Sequence, residues 1–307
     1  MGSLAGLPDS PRARAALIDS ALAWYFVLVW GSGYVATKVA LQYTTPLVFL
    51  SIRYALGIVC LSALALATPL RWPRQGVEWL HIVVAGLLVH ALNLGGSHYA
   101  QYLGLSAGTV ALILAAQPLV TACIVSLWMH ERLLPRQWLG VALGLGGVAL
   151  VVWHKLDIQA MSKASLFAVS LSLVGTTLGA LYQRAFCARV DLRCASLIQF
   201  AASLGVLLPL ALVFEGWHVH WNVALVAAAG YLVVGASILA LNAFHILMRR
   251  GEATRVASLI YLTPIIAVLC EFLLFHVLPT LLSVGGMALA CLGVALVAGR
   301  SRAAPAR

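Results

Sequence analysis

Apolar residues run in long blocks along the whole chain, separated by short stretches that hold most of the charges. Ten such blocks can be marked, at about 21–41, 47–69, 77–97, 105–129, 136–153, 164–186, 194–214, 222–247, 254–277 and 280–299. At a rise of about 1.5 Å per residue, a helix of about 20 residues crosses a hydrocarbon core of about 30 Å. The blocks occupy most of the 307 residues and leave no room for a separate water-soluble domain. The pattern predicts an all-α polytopic membrane protein with ten transmembrane helices, a tail over 1–20 and another over 300–307. The first block is too long for a signal-peptide core, so it is expected to be retained as a helix.

Two of these blocks are nearly the same. Ala142–Val151 reads ALGLGGVALV and Ala288–Val297 reads ALACLGVALV, with seven of ten positions identical at an offset of 146 residues. The offset extends through the chain without a gap: Gly33 meets Gly179, Lys38 meets Arg184, Arg53 meets Gln199, Ala107 meets Ala253, and Pro118 meets Pro264. A duplicated five-helix unit follows, with repeats over 21–153 and 164–299. Five is odd, so the second copy enters the membrane from the opposite face. Inverted repeats of this kind are the architecture of alternating-access carriers.

Charge agrees with the inversion. Arg12, Arg14, Arg71, Arg74, Arg132, Arg136, Arg184, Arg189, Arg193, Arg249, Arg250, Arg255, Arg300, Arg302 and Arg307 fall on one side of a ten-span arrangement or at its boundary. The positive-inside rule puts that side, and both termini, in the cytoplasm. Arg132 and Arg136 precede the fifth block, whereas the equivalent loop before the tenth has no Lys or Arg. Composition strengthens the membrane reading: 63% of residues are hydrophobic and only 9% charged, against about 25% in soluble domains. The net charge of +10 comes from single or paired basic residues beside span ends, not from a stripe suited to nucleic acid. Six cysteines show no paired spacing, and His218-x-His220 lacks a third ligand, so neither a disulfide framework, a metal nor a cofactor is expected.

The residues Trp30-Gly31 followed by Lys38, then Arg53, and the run Ala107, Ala111, Gln117-Pro118, Glu131-Arg132 before a glycine-rich helix resemble the drug/metabolite transporter superfamily. Within it the chain is similar to the ten-helix, two-repeat EamA-type exporters, over about 21–299. It departs from the pattern where Glu131 meets Val277. The resemblance implies export of small metabolites across a bacterial inner membrane, with amino acids, aromatic ones among them, as the nearest cargo; drugs and other metabolites are the alternatives. The partners expected are a small-molecule substrate and the lipid bilayer, with the protein a monomer. A channel and a membrane enzyme are readings from other classes; no HExxH, GxSxG or carboxylate pair supports the enzyme.

Polar side chains inside a bilayer are costly and usually face a cavity or a partner. On that ground the third block offers His81, His90, Asn93 and Ser97, with His98, Tyr99 and Gln101 beyond, and the eighth offers Tyr231, Asn242 and His245. Trp30, Tyr34 and Lys38 advance four residues at a time along one face of the first. With Gln117 and Tyr261 these make the expected substrate path, toward which Trp24, Tyr102 and Tyr182 also lean. Pro118 and Pro264 each remove a backbone hydrogen bond and are expected to bend helices within the membrane. Lys38 and Arg53 have two readings, snorkelling to the interface or attracting a substrate carboxylate. Glu271 is the one acid deep in a block, and its expected partner is a histidine or an arginine. Gly140, Gly144 and Gly147, with Gly286, Ala290 and Gly293, form two small-residue stripes through which the fifth and tenth helices are expected to pack together.

Overall fold

The computed structural model describes residues 11–67, 70–128, 134–157, 161–188, 190–240, 243, 246–247 and 262–298. Among these residues every regular element is helical, with one isolated antiparallel bridge between Thr44 and Val219. The first helix, α1 (Pro11–Ala40), begins ten residues ahead of its apolar block and is about 45 Å long. Pro11 suits its first turn, where a backbone N–H has no acceptor within the helix. Next comes α2 (Pro46–Ala67), and then a continuous rod built of α3 (Gly76–Gly86), a π-helical segment π1 (Leu87–Leu94) and α4 (Gly95–Tyr102).

The fourth block is not one helix. It divides into α5 (Ala107–Leu114) and α6 (Gln117–Trp128), with a turn at Ala115–Ala116. Pro118 is therefore the second residue of a new helix and not an interior kink, so its missing N–H costs the new helix nothing. The break affects the preceding turn instead: Leu114 O loses the donor four residues on, and Leu119 N bonds Ala116 O, not Ala115 O. Single helices then follow as α7 (Pro135–Asp157), α8 (Lys163–Phe186) and α9 (Leu192–Leu210). The chain continues through π2 (Ala211–Glu215), α10 (Val223–Gly230) and π3 (Tyr231–Ala240), and ends with α11 (Thr263–Phe275) and α12 (Leu281–Ala298). Pro264 lies in the first turn of α11, again at a helix start.

Among the described residues, seven stretches are long and apolar enough to cross a membrane: Pro46–Leu66, Gly76–Tyr102, Ala107–Leu127, Pro135–His154, Lys163–Phe186, Leu192–Glu215 and Val223–Ala240; Thr263–Phe275 and Leu281–Val297 are shorter apolar helices. Side-chain caps fix several starts. Ser106 Oγ accepts from Thr109 N, Ser162 Oγ from Ser165 N, Asp191 Oδ1 from Arg193 N, and Asn222 Oδ1 from Leu225 N. Large apolar side chains such as Val59, Phe167, Val213, Phe214 and Leu281 point outward, as they do when the surrounding solvent is lipid.

Helix starts recur at the sequence offset. The first residues of α2 and α9, of α6 and α11, and of α7 and α12 are each 146 apart, and π1 and π3 overlap under the same shift. Corresponding helices also pack together. Tyr54 of α2 packs at a tilt against Phe200 of α9, with ring centroids 5.2 Å apart, and they share an apolar cluster with Leu47, Leu61 and Leu207. Helices α7 and α12 meet through their glycines. A β-carbon built on Gly140 would lie 2.6 Å from Gly293 O, and one on Gly147 would lie 2.5 Å from Gly286 O. Moving forward along α7 moves backward along α12, so the two run antiparallel. No side chain larger than hydrogen fits these crossing points, and this explains why the sequence spends glycine in helix interiors, where it costs about 1 kcal/mol relative to alanine.

Candidate functional site

Helices α1, α2, α5, α6, α8 and α9, with π1, α4 and π3, surround a cavity of about 380 Å³. Its apolar part comes from Val29, Trp30, Tyr34, Leu114, Phe200 and Leu232; its polar part comes from Arg53, His90, Asn93, Ser97, His98, Gln101, Gln199 and Ser237. Among the described lining residues Arg53 is the one Lys or Arg, and there is no Asp or Glu. Leu114 and Ala115 line the cavity too. The α5–α6 break thus adjoins its wall, at a helix C-terminus whose dipole favours positive charge.

The polar residues are held from behind. Tyr54 Oη donates to His90 O at 2.9 Å, a carbonyl of π1. The His90 ring lies 3.3 Å from Gln199 Oε1 through Nε2 and packs edge-on against Phe200. Ser172 Oγ of α8 lies 2.7 Å from Asn93 O and 2.8 Å from Asn93 Oδ1. Phe49 stacks on His98 at a centroid distance of 5.9 Å. Arg53 Nη2 donates to Ser237 Oγ at 3.2 Å, and Ser237 donates to Leu232 O at 3.0 Å, so π3 anchors a guanidinium that belongs to α2.

Several polar atoms here have no protein partner. Buried side-chain atoms without a hydrogen bond are Arg53 Nε, His90 Nδ1, His98 Nε2, Gln101 Oε1 and Gln199 Nε2, all on cavity-lining residues, together with Thr45 Oγ1 and His154 Nε2 elsewhere. Folded proteins satisfy nearly all buried polar groups, so five exceptions around one cavity make it the candidate binding site.

The expected path residues divide three ways. Trp30, Tyr34, His90, Asn93, His98, Gln117 and Pro118 come together on the cavity. Lys38 does not: its Nζ donates to Glu271 Oε1 at 2.5 Å and lies 4.7 Å from the Phe275 ring centroid. Glu271 also accepts from the amides of Ala107 and Gly108 at 3.1 and 3.0 Å, capping α5. Its partner is thus a lysine, not a histidine or an arginine, and Lys38 neither snorkels nor lines the cavity. Tyr99 also stands off the cavity, donating its hydroxyl to Glu215, whose carboxylate accepts from Leu47 N and Val48 N and caps α2. Asn242, His245 and Tyr261 lie outside the described residues, as do Glu131 and Arg132. Of the other aromatic residues, Tyr182 bonds His81 at 2.8 Å, while Trp24 and Tyr102 are exposed.

The cavity residues that sequence reasoning did not place on the path are Gln199 and Ser237. A signal existed for Gln199, an amide in an apolar run at the offset position of Arg53. The two now line one cavity from paired helices.

A model of the EamA-like transporter family matches the chain twice, over residues 20–153 and 162–299. An uncharacterized transporter of Bacillus subtilis, YvbV, is 28% identical over 95% of this chain and 94% of its own. The uncharacterized inner membrane transporter YedA of Escherichia coli K12 is 28% identical over 79% of this chain and 78% of its own. A probable amino-acid metabolite efflux pump of Salmonella typhimurium is 25% identical over 81% and 84%. A solved crystal structure shares the fold at a TM-score of 0.63 and 21% identity, covering 91% of this chain and 96% of that one. With its apolar helices and its doubled family match, the chain belongs to the EamA-like transporter family and is a multi-pass membrane transporter, not an enzyme.

Proposed function

We propose that the chain is an alternating-access exporter of neutral amino acids, aromatic ones above all, built from two inverted five-helix repeats over 21–153 and 164–299. Both termini face the cytoplasm of a bacterial cell, and the ten spans lie in its inner membrane. The observation that carries the reading is the cavity itself, lined by residues of both halves, with Arg53 and Gln199 at equivalent positions. The antiparallel pairing of α7 with α12 supports the inversion, because equivalent helices of an inverted repeat run in opposite directions. The aromatic and apolar lining around Trp30, Tyr34 and Phe200 suits an amphipathic ligand of amino-acid size. A relative named as a probable amino-acid metabolite efflux pump supports the cargo class.

The access side follows from the same reading. Lys38–Glu271, the Glu215 cap on α2 and the Thr44–Val219 bridge all tie helices at the end that the basic loops assign to the outside. Gln183, Leu192 and Ser196, near the opposite end, are part of the cavity lining. The conformation is inward-facing, with its outer end latched.

Purified protein in liposomes is expected to exchange external for preloaded labelled phenylalanine or tryptophan, with saturation. Flux no greater than in empty liposomes rejects the cargo, and non-saturating flux without exchange favours a channel. Trp30→Ala and Tyr34→Ala are expected to lower transport several-fold at unchanged folded yield; a parallel fall in yield would make them packing residues.

A further inference from the structure

We infer that the cavity holds its ligand by a carboxylate group seated on Arg53. This deepens the transport reading above, since it assigns the chemistry that the same cavity requires of its cargo. A half-buried guanidinium commonly has a carboxylate for a partner, because an unpaired charge partly withdrawn from water is costly. Arg53 has none among the described residues: its contact is the neutral Ser237 hydroxyl, and its Nε has no acceptor. Two of the described acids are engaged elsewhere. Glu271 holds Lys38 and α5, and Glu215 holds Tyr99 and α2.

The neighbouring atoms fit an anionic oxygen pair. Gln199 presents an unpartnered amide nitrogen as a donor, from a side chain only 4% exposed. His98, 2% exposed, has Nε2 free, and His90 has Nδ1 free. A guanidinium offers two parallel N–H groups to a carboxylate, and among the described residues the Arg53 side chain makes one hydrogen bond, from Nη2 to Ser237. The described lining also disfavours the opposite class. With no acid among its described residues, a cationic amine without a carboxylate would meet Arg53 unneutralised. The ammonium of a zwitterion is favoured at the C-terminal end of α5, on a cavity shared with Gln101, whose Oε1 has no partner.

The test uses the whole chain in detergent, with melting temperature read against ligand concentration. The probes are neutral amino acids, the matching acids without the amino group, and the matching amino-acid amides. At least one acid in the panel is expected to stabilise the protein, with its amide binding about 10–100-fold more weakly, the range for a hydrogen bond to a charged group. Arg53→Gln is expected to abolish the difference between acid and amide, and Arg53→Lys to restore part of it. Amides that bind as well as acids, or a panel in which no acid shifts the melting temperature, would overturn the proposal. The comparison of acid with amide is made in the unaltered protein, so it stands even where Arg53→Gln fails to fold. It is also separable from the exporter reading: a non-aromatic acid that binds while phenylalanine shows no exchange supports the carboxylate seat and rejects the aromatic cargo. Aromatic exchange with equal binding of acid and amide does the reverse.

Discussion

Glu271→Ala is expected to destabilise the protein by about 3–5 kcal/mol, the usual cost of removing one partner from a buried ion pair. Glu271 is 3% exposed and has three partners, the Lys38 ammonium and the amides of Ala107 and Gly108. Alanine would leave a lysine without its counter-charge and two donors at a helix start without acceptors. Lys38→Met should cost less, because the carboxylate keeps both amides and the favourable end of the α5 dipole. Melting temperatures of the two variants in detergent check the ranking. Equal losses, or a loss under about 1 kcal/mol for Glu271→Ala, would mean that water already satisfies the site.

The second large effect concerns the helix crossing. In Gly293→Ala the added methyl would lie 2.3 Å from Gly144 N and 2.4 Å from Gly140 O, and backbone cannot swing aside as a side chain can. The helices must separate, with an expected loss of about 1–3 kcal/mol from overpacking, and more for Gly293→Leu. The controls lie on the same two helices. A methyl on Gly146 or Gly285 meets nothing within 4 Å, and alanine there should be neutral or stabilising, because it favours the helix by up to about 1 kcal/mol. If all four variants behave alike in thermal scans, the crossing is loose and the glycines reflect composition alone.

Much of this architecture could be read from the chain. Blocks of apolar residues gave the helices, because a bilayer demands length and hydrophobicity before anything else. The 146-residue offset and the glycine stripes are likewise local text, repeated. What periodicity cannot encode is which polar residue finds which. Lys38 and Glu271 are 233 positions apart, and only the meeting of α1, α5 and α11 makes them partners. Tyr99 looked like a path residue because it continues the polar face of its block, yet Glu215 draws it to a helix start. Pro118 marked the right place and the wrong event, for the helix had already stopped at Leu114. Gln199 was legible as the counterpart of Arg53, but its free amide nitrogen depends on His90 occupying the other end of the group.

The wide turns of π1 and π3 have a consequence for everything that follows them. Each surplus residue absorbed by such a stretch swivels the remainder of its rod by about 100°. The bearing of Ser97, His98 and Gln101 is therefore set upstream, in Leu87–Leu94, and not by those three residues themselves. Shortening that stretch by one position would re-aim the whole bank of side chains at once, with every one of them still present.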